Sequence, residues 1–352
     1  GGLGPTADDV TAEVVADFAG SQLVLDEALE RQIADIVSGF RGTASFDEEA
    51  LRAANRKQAM VPRGAQLVAP AGTAPGLVLR VADGPTLVAL PGPPRELQAM
   101  WPAVLTESAT QAVLAKARPY QSARLRLFGL PESEIAATLR QVGGTLDLTQ
   151  LEITTCARYA ELVIDIRHRG ADAIQAALVA EIVARHGPFV FSPHGSSIDE
   201  QLAELLDGHR IAVGESCTGG LLAARLTERP GSSGYFVGGA VVYSNEAKSR
   251  LLAVPADLIV RHGAVSGEVA QALADGARAR FDADIGVGIT GVAGPAGGTE
   301  AKPVGYVCIC ATTAGDAVLA IDPVFPGNRF EVRQRATVRA MHLVTQILQP
   351  RN

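Results

Sequence analysis

Ile211-Ala-Val-Gly-Glu-Ser-Cys-Thr-Gly-Gly220 is the stretch from which the fold can be read. Its apolar opening reads as a strand over Arg210–Gly214, and a glycine-containing turn then leads into a helix over Gly219–Leu226. Ser216 therefore sits where a strand gives way to a helix. In open α/β folds that carboxyl edge of the sheet is where ligands bind. The N–H groups that follow, with the positive helix terminus, can stabilise an oxyanion or a phosphate. The spacing is Gly-x-Ser-x-x-Gly rather than the Gly-x-Ser-x-Gly of the α/β-hydrolase elbow, so a Ser–His–Asp triad is not signalled. The plainer alternative is that Ser216 or Thr218 caps the helix.

The alternation of strands and helices continues on both sides. A helix over Ile198–Leu206 comes before; after it come a strand over Phe236–Tyr243 and helices over Ala247–Leu252 and Gly267–Phe281. Strands over Asp284–Thr290, Val304–Ala311 and Ala317–Val324 follow, and a helix over Phe330–Leu348 closes the chain. This order predicts a mixed, largely parallel sheet covered on both faces. Upstream, strands at Ser122–Phe128, Gln150–Ala157 and Glu161–Arg167 alternate with helices at Glu132–Val142 and Asp172–His186, a small α+β unit. Phe191–Ser197 is the expected linker. The front carries helices at Val10–Phe18, Asp26–Phe40 and Glu48–Met60, short strands at Gln66–Val68, Leu77–Val81 and Thr86–Leu90, and a helix from Pro94 to Lys116. The expected class is multidomain α/β, with domains over 1–118, 119–191 and 192–352.

At 352 residues the chain is long for a single core. Its 47% hydrophobic and 20% charged residues are those of a packed globular protein. A net charge of −7 argues against general attraction to polyanions, so nucleic acid is not an expected partner. Four cysteines make no disulfide framework, and Cys308 and Cys310, alternating along a predicted strand, read as buried thiols rather than metal ligands. No apolar run is long enough to span a bilayer and no signal peptide opens the chain, so a cytoplasmic location is expected.

A serine nucleophile needs a base. In Val241-Val-Tyr-Ser-Asn-Glu-Ala-Lys248 a strand ends near Tyr243, and Asn245 can cap a helix whose first turn holds Lys248. A cation is disfavoured at a helix N-terminus, and the same field depresses its pKa toward that of a useful base; the alternative is a solvated surface lysine. His209 and His262 show no acidic partner at a recognisable offset. Pro230-Gly-Ser-Ser233 offers Ser233 and backbone N–H groups. Ile289-Thr-Gly-Val-Ala-Gly-Pro-Ala-Gly-Gly-Thr-Glu300 leaves a strand with glycines that let backbone approach a phosphate. Phe325-Pro-Gly-Asn-Arg329 sets an arginine before the last helix, suited to a phosphate or carboxylate.

With Gly263-Ala-Val-Ser266 and Lys302-Pro-Val-Gly305, these motifs resemble, in order, the C-terminal domain of the CinA (competence/damage-inducible) family, whose members include nicotinamide mononucleotide deamidases. The resemblance implies hydrolysis of the nucleotide's carboxamide to nicotinate mononucleotide and ammonia, a step in pyridine nucleotide salvage. It assigns Ser216 as nucleophile, and Tyr243 and Lys248 to proton transfer. Ser233, Thr290 and Arg329 line the site. Backbone N–H groups of Cys217, Thr218, Gly219 and Gly220, with Ser233, are then expected to hold the oxyanion, and the Gly291–Gly298 loop, Gly291 and Gly294 included, with Arg329 the charged parts of the nucleotide. No metal or cofactor is expected for this step.

Gly1-Gly-Leu-Gly-Pro-Thr-Ala-Asp-Asp9, Gly72-Thr-Ala-Pro-Gly76 and Leu90-Pro-Gly-Pro-Pro-Arg-Glu96 resemble the MoaB-like N-terminal domain of the same family. Gly2, Gly4 and Thr6 with Asp8 and Asp9 are the candidates for holding a nucleotide phosphate and a divalent metal, or the aspartates cap the following helix. That domain carries the alternative activity, ADP-ribose pyrophosphate cleavage. A third reading is a nucleotide-binding regulator without turnover. No strand precedes the glycine turn, so the front domain is expected to lack part of its fold and to pack loosely. The middle unit occupies the place of a KH-like domain but has no GxxG loop, so a spacer or dimerisation role is expected. The partners expected are a small nucleotide substrate and a second copy of the chain, with no membrane.

Overall fold

The structure is a computed structural model and describes residues 1–40 and 47–349. The chain divides into two compact units, Gly1–Pro119 and Tyr120–Asn352.

In the first unit α1 (Thr11–Phe18), β1 (Leu23–Leu25), α2 (Glu27–Phe40), α3 (Glu48–Gln58) and β2 (Met60–Pro62) lead into an antiparallel meander of β3 (Gln66–Val68), β4 (Gly76–Arg80) and β5 (Thr86–Ala89). β1 and β2 pair antiparallel. Three residues are too few for alternation to show, which is why these two strands escape a sequence reading. The helix expected from Pro94 to Lys116 is two, α4 (Pro94–Thr106) and α5 (Ser108–Leu114), because Glu107 between them takes extended backbone. Leu29, Ile33, Val61 and Leu77 centre one buried cluster, and Val68, Val78, Met100 and Val104 another.

The second unit begins with β6 (Gln121–Phe128), α6 (Glu132–Val142), β7 (Leu151–Arg158), β8 (Glu161–His168), α7 (Asp172–His186) and β9 (Val190–Ser192). They form an antiparallel sheet in the order β7-β8-β6-β9. Leu125, Leu127, Leu162, Ile164 and Ile166 pack with Ile135 of α6 and with Leu178 and Ile182 of α7. The expected linker thus begins later than Phe191, because Val190–Ser192 find backbone partners on the open edge of β6.

A second sheet follows, built from β10 (Ile211–Glu215), β11 (Phe236–Val241), β12 (Ile285–Gly291), β13 (Val307–Thr313) and β14 (Val318–Ile321). Its helices are α8 (Ile198–Leu205), α9 (Leu221–Thr227), α10 (Asn245–Leu252), α11 (Ala256–His262), α12 (Gly267–Arg280) and α13 (Arg329–Leu348). Strand order is β11-β10-β12-β13-β14, with β10 parallel to both neighbours and the β12–β13 and β13–β14 pairs antiparallel. The sheet is therefore half parallel rather than largely so. Parallel pairing needs a helical crossover, and the connections after β12 and β13 contain no helix. His342 of α13 ties the two sheets together: it stacks on Phe128 at 3.8 Å and its Nε2 lies 2.9 Å from Glu161 Oε1.

β12 reads Ile285-Gly-Val-Gly-Ile289, and the alternation sorts bulk from none. Ile285, Val287 and Ile289 join the cluster formed with α13, α8 and α9. Gly286 and Gly288 face α12, whose backbone comes so close that a Cβ on Gly288 would lie 1.9 Å from Ala270 O, and one on Gly286 2.0 Å from Ala274 O. Only glycine admits that approach. Gly288→Ala is accordingly expected to destabilise the protein by about 3 kcal/mol, the upper range for overpacking a closed core, measured as a lower denaturation midpoint at unchanged m-value.

Candidate active site

Parallel register brings three strand ends to one edge. Glu215, the last residue of β10, lies opposite Val241 of β11 and Ile289 of β12. The segments leaving these strands wall a cavity of about 290 Å³ lined by Ser216, Tyr243, Lys248, Thr290, Gly291, Gly294 and Arg329. Seven of the residues singled out in the sequence thus share one cavity.

Lys248 is not a solvated lysine. It is 2% exposed, the largest fully buried side chain in the described structure. Ser244, not Asn245, caps α10, accepting the Ala247 N–H at 3.1 Å. Lys248 Nζ donates to Val242 O at 3.1 Å and to Tyr243 O at 3.2 Å. Burial holds its pKa below the ordinary 10.5, since leaving water penalises the ammonium. The two carbonyls take two of the three positions around Nζ, and the third is left for the cavity that Lys248 lines.

Ser216 is 8% exposed, and its N–H donates to Ile289 O at 2.9 Å. The cap alternative does not apply to it. The N-cap of α9 is Gly220, without a side-chain hydrogen bond, and the helix start is held by Glu215 instead. Glu215 accepts the N–H groups of Gly220 (3.1 Å), Leu222 (3.1 Å) and Ala223 (2.8 Å). Cys217 beside the serine is no rival nucleophile: burial pushes its thiol up to about 12, and thiols attack as thiolates.

Tyr243 is exposed, and its phenol oxygen accepts from Arg329 Nη2 at 2.8 Å, leaving its own proton free for the cavity. Arg329 Nη1 donates to Gly294 O at 2.8 Å, so the arginine links the tyrosine to the glycine loop. The Thr290 hydroxyl is committed to Ala264 O at 2.8 Å and braces the Gly263–Ser266 loop. His262 has the acidic partner that its sequence neighbours do not reveal, with Nδ1 3.0 Å from Glu268 Oε1.

Four expected contacts are placed elsewhere. The Gly220 N–H is taken by Glu215 and the Gly219 N–H by Ser216 O at 3.1 Å, so neither is free for an oxyanion. The Thr218 side chain is fully buried, and its Oγ1 has no hydrogen-bond partner among the described residues. Ser233 precedes β11, at the opposite end of the parallel strands from Ser216; a strand of this length separates them by roughly 20 Å. Sequence reasoning passed over Glu215 and Arg333. Arg333 Nε donates to Cys217 O at 3.1 Å and Nη2 to Thr218 O at 2.7 Å. The available signals were a lone carboxylate closing an apolar strand, and an arginine one turn after Arg329 on the same helix face.

In the first unit Gly2, Gly4 and Asp9 line a cavity of about 200 Å³ with Lys57 and Gln58, while Thr6 and Asp8 do not. Asp8 and Asp9 do not cap α1, whose N-cap is Val10 without a side-chain hydrogen bond. The Thr6 hydroxyl lies 2.6 Å from Asp8 Oδ1 and from Asp9 Oδ2 and shares its one proton between them, and hydrogen bonds from the Thr6 side chain and N–H hold Asp9 below the usual carboxylate range. Two carboxylates are a partial donor set for a divalent ion, which takes about six oxygens.

Comparison with known proteins finds two family descriptions along the chain. The family description "CinA C-terminal domain" matches residues 195–348, and "Probable molybdopterin binding domain" matches residues 1–111. A CinA-like protein of Mycobacterium sp. (strain JLS) is 53% identical over 352 residues, covering 99% of this chain and 83% of that protein. One from Mycobacterium tuberculosis (strain ATCC 25177 / H37Ra) is 49% identical over 356 residues, 99% and 82% of the two chains. The crystal structure of competence/damage inducible protein CihA from Agrobacterium tumefaciens shares 35% identity over 44% of this chain and 98% of that one, with a TM-score of 0.42. Similarity to CinA-like proteins along nearly its whole length, together with matches to both domain descriptions, places this chain in the CinA family.

Proposed function

We propose that the second unit hydrolyses the carboxamide of nicotinamide mononucleotide, giving nicotinate mononucleotide and ammonia. The observation that carries the chemistry is the buried Lys248, its N–H groups held by two backbone carbonyls in the cavity that holds Ser216. The substrate is inferred from the resemblance of the motifs between Glu215 and Arg329 to those of the family's deamidases. Ser216 Oγ attacks the carboxamide carbon and its proton passes to the Lys248 amine. The tetrahedral oxyanion collapses, and the leaving nitrogen takes that proton and departs as ammonia. Water then adds to the acyl-serine, again losing its proton to Lys248, and the carboxylate is released with Ser216 restored. Tyr243, its phenol oxygen occupied by Arg329, donates its proton toward the reacting amide. Arg329 and the Gly291–Gly298 loop take the charged parts of the nucleotide.

A second reading belongs to the first unit, where the cavity holding Gly2, Gly4, Asp9 and Lys57 suits a phosphate-bearing ligand. Release of phosphate monoesters from ADP-ribose would measure it.

Ammonia release from nicotinamide mononucleotide is the direct assay. Ser216→Ala is expected to lower kcat by at least about a thousandfold while circular dichroism is unchanged, because the residue supplies covalent chemistry and little packing. Near-parental turnover would refute the assignment. The amine acts only when unprotonated, so kcat/KM should rise with pH and level off at a midpoint below 10.5; a profile that is flat or falls with pH argues against a Lys248 base. Cysteine labelling checks that Cys217 is unreactive. Iodoacetamide near pH 8 should modify the exposed Cys156 and spare Cys217, and intact mass with peptide mapping reads the outcome.

A further inference from the structure

We propose that Glu215 and Arg333 are positioning residues that hold the Ser216–Gly220 turn so that the free Cys217 N–H, at the wall of the cavity beside Ser216, holds the oxyanion. The inference rests on the amidohydrolase reading above.

The turn has five N–H groups. That of Ser216 goes to Ile289 O, that of Gly219 to Ser216 O and that of Gly220 to Glu215. Cys217 and Thr218 donate to no partner among the described residues, although both are buried. Buried N–H groups are seldom unpaired; Thr218 is fully buried behind the cavity, whereas Cys217 lines it with Ser216, and a free N–H beside a nucleophile suits developing negative charge.

Their direction follows from the carbonyls. A trans peptide sets its C=O and N–H on opposite sides. The Ser216 carbonyl accepts from Gly219, which turns the Cys217 N–H the other way. The Cys217 carbonyl accepts from Arg333 Nε at 3.1 Å, which does the same for the Thr218 N–H. Arg333 reaches Thr218 O with Nη2 at 2.7 Å, and a Cβ on Gly219 (φ +61°) would stand 3.2 Å from that nitrogen. Glu215 secures the other side of the turn through Gly220, Leu222 and Ala223. Neither Glu215 nor Arg333 lines the cavity, so both act through the backbone.

Arg333→Ala in the full chain tests this with two readouts. With nicotinamide mononucleotide, kcat is expected to fall about a hundredfold, the scale for losing an oxyanion donor. KM should stay within about threefold and the midpoint of the pH limb should not move, because ground-state binding and Lys248 are untouched. Added guanidinium, at concentrations harmless to the parent, should restore part of the rate. Arg333→Lys should be intermediate, since a point charge cannot reach both carbonyls. The second readout needs no nucleotide: a fluorophosphonate probe builds a negative oxygen beside Ser216, and its labelling rate should fall in parallel. Glu215→Gln should show the same split between kcat and KM. If the parent labels at Ser216 but releases no ammonia, the proposed substrate fails and the positioning role stands. Unchanged labelling in Arg333→Ala, a loss confined to KM, or a parent that does not label at Ser216 would overturn the positioning role.

Discussion

The close contact between the glycine face of the second sheet and the backbone of α12 governs the depth at which the site is built. Gly286 and Gly288 let α12 settle against β12, and a Cβ on Gly214 of β10 would meet Leu252 Cδ1 at 2.7 Å. Gly276 of α12 repeats the device outward, since a Cβ there would lie 2.0 Å from Leu252 O at the end of α10. α10 is thereby drawn inward, and it carries Lys248. A lysine in the first turn of a helix resting on larger side chains would keep its ammonium in water. Here Lys248 is buried and its Nζ faces the carbonyls of Val242 and Tyr243.

The charges around the serine are balanced in an unusual manner. Lys248 is held by two carbonyls, Arg333 by two carbonyls and Glu215 by three N–H groups. Backbone dipoles, rather than opposite side-chain charges, hold each of them. For the lysine this has a chemical consequence. A carboxylate partner would favour the ammonium strongly and raise its pKa, whereas carbonyl dipoles favour it less, and burial holds the pKa below the ordinary value. Dipoles fixed by secondary structure also need no rearrangement as charge moves in the transition state.

The middle sheet is joined to this frame through one histidine. His342 sits between Phe128 and Phe191, with Glu161 on its Nε2, and burial holds its pKa below the usual histidine value. α13, which carries Arg329 and Arg333 at its start, therefore meets β6 and β8 near its end. The helix that orients the turn is packed against both sheets of the unit.

Much of the site was legible because strand ends and glycine loops write themselves into local sequence. Ile211–Gly220 determined the strand-to-turn junction and the place of Ser216, Val241–Lys248 put a lysine just beyond a second strand end, and the Ile289–Gly298 loop marked a third. Local pattern carries such features because φ > 0 and strand alternation are properties of a few consecutive residues. Tertiary structure decided the rest. The burial of Lys248 depends on the packing of α10 against α12, and the carbonyls of the Ser216–Gly220 turn are held by Arg333, 117 positions after Ser216. Ser233 shows the same limit from the other side. Its motif is as clear as the others, but strand direction puts it at the far end of the sheet. Short-range sequence records what the backbone can do at each point. Pairing direction and helix depth are settled by contacts between distant segments, and these decide which groups meet.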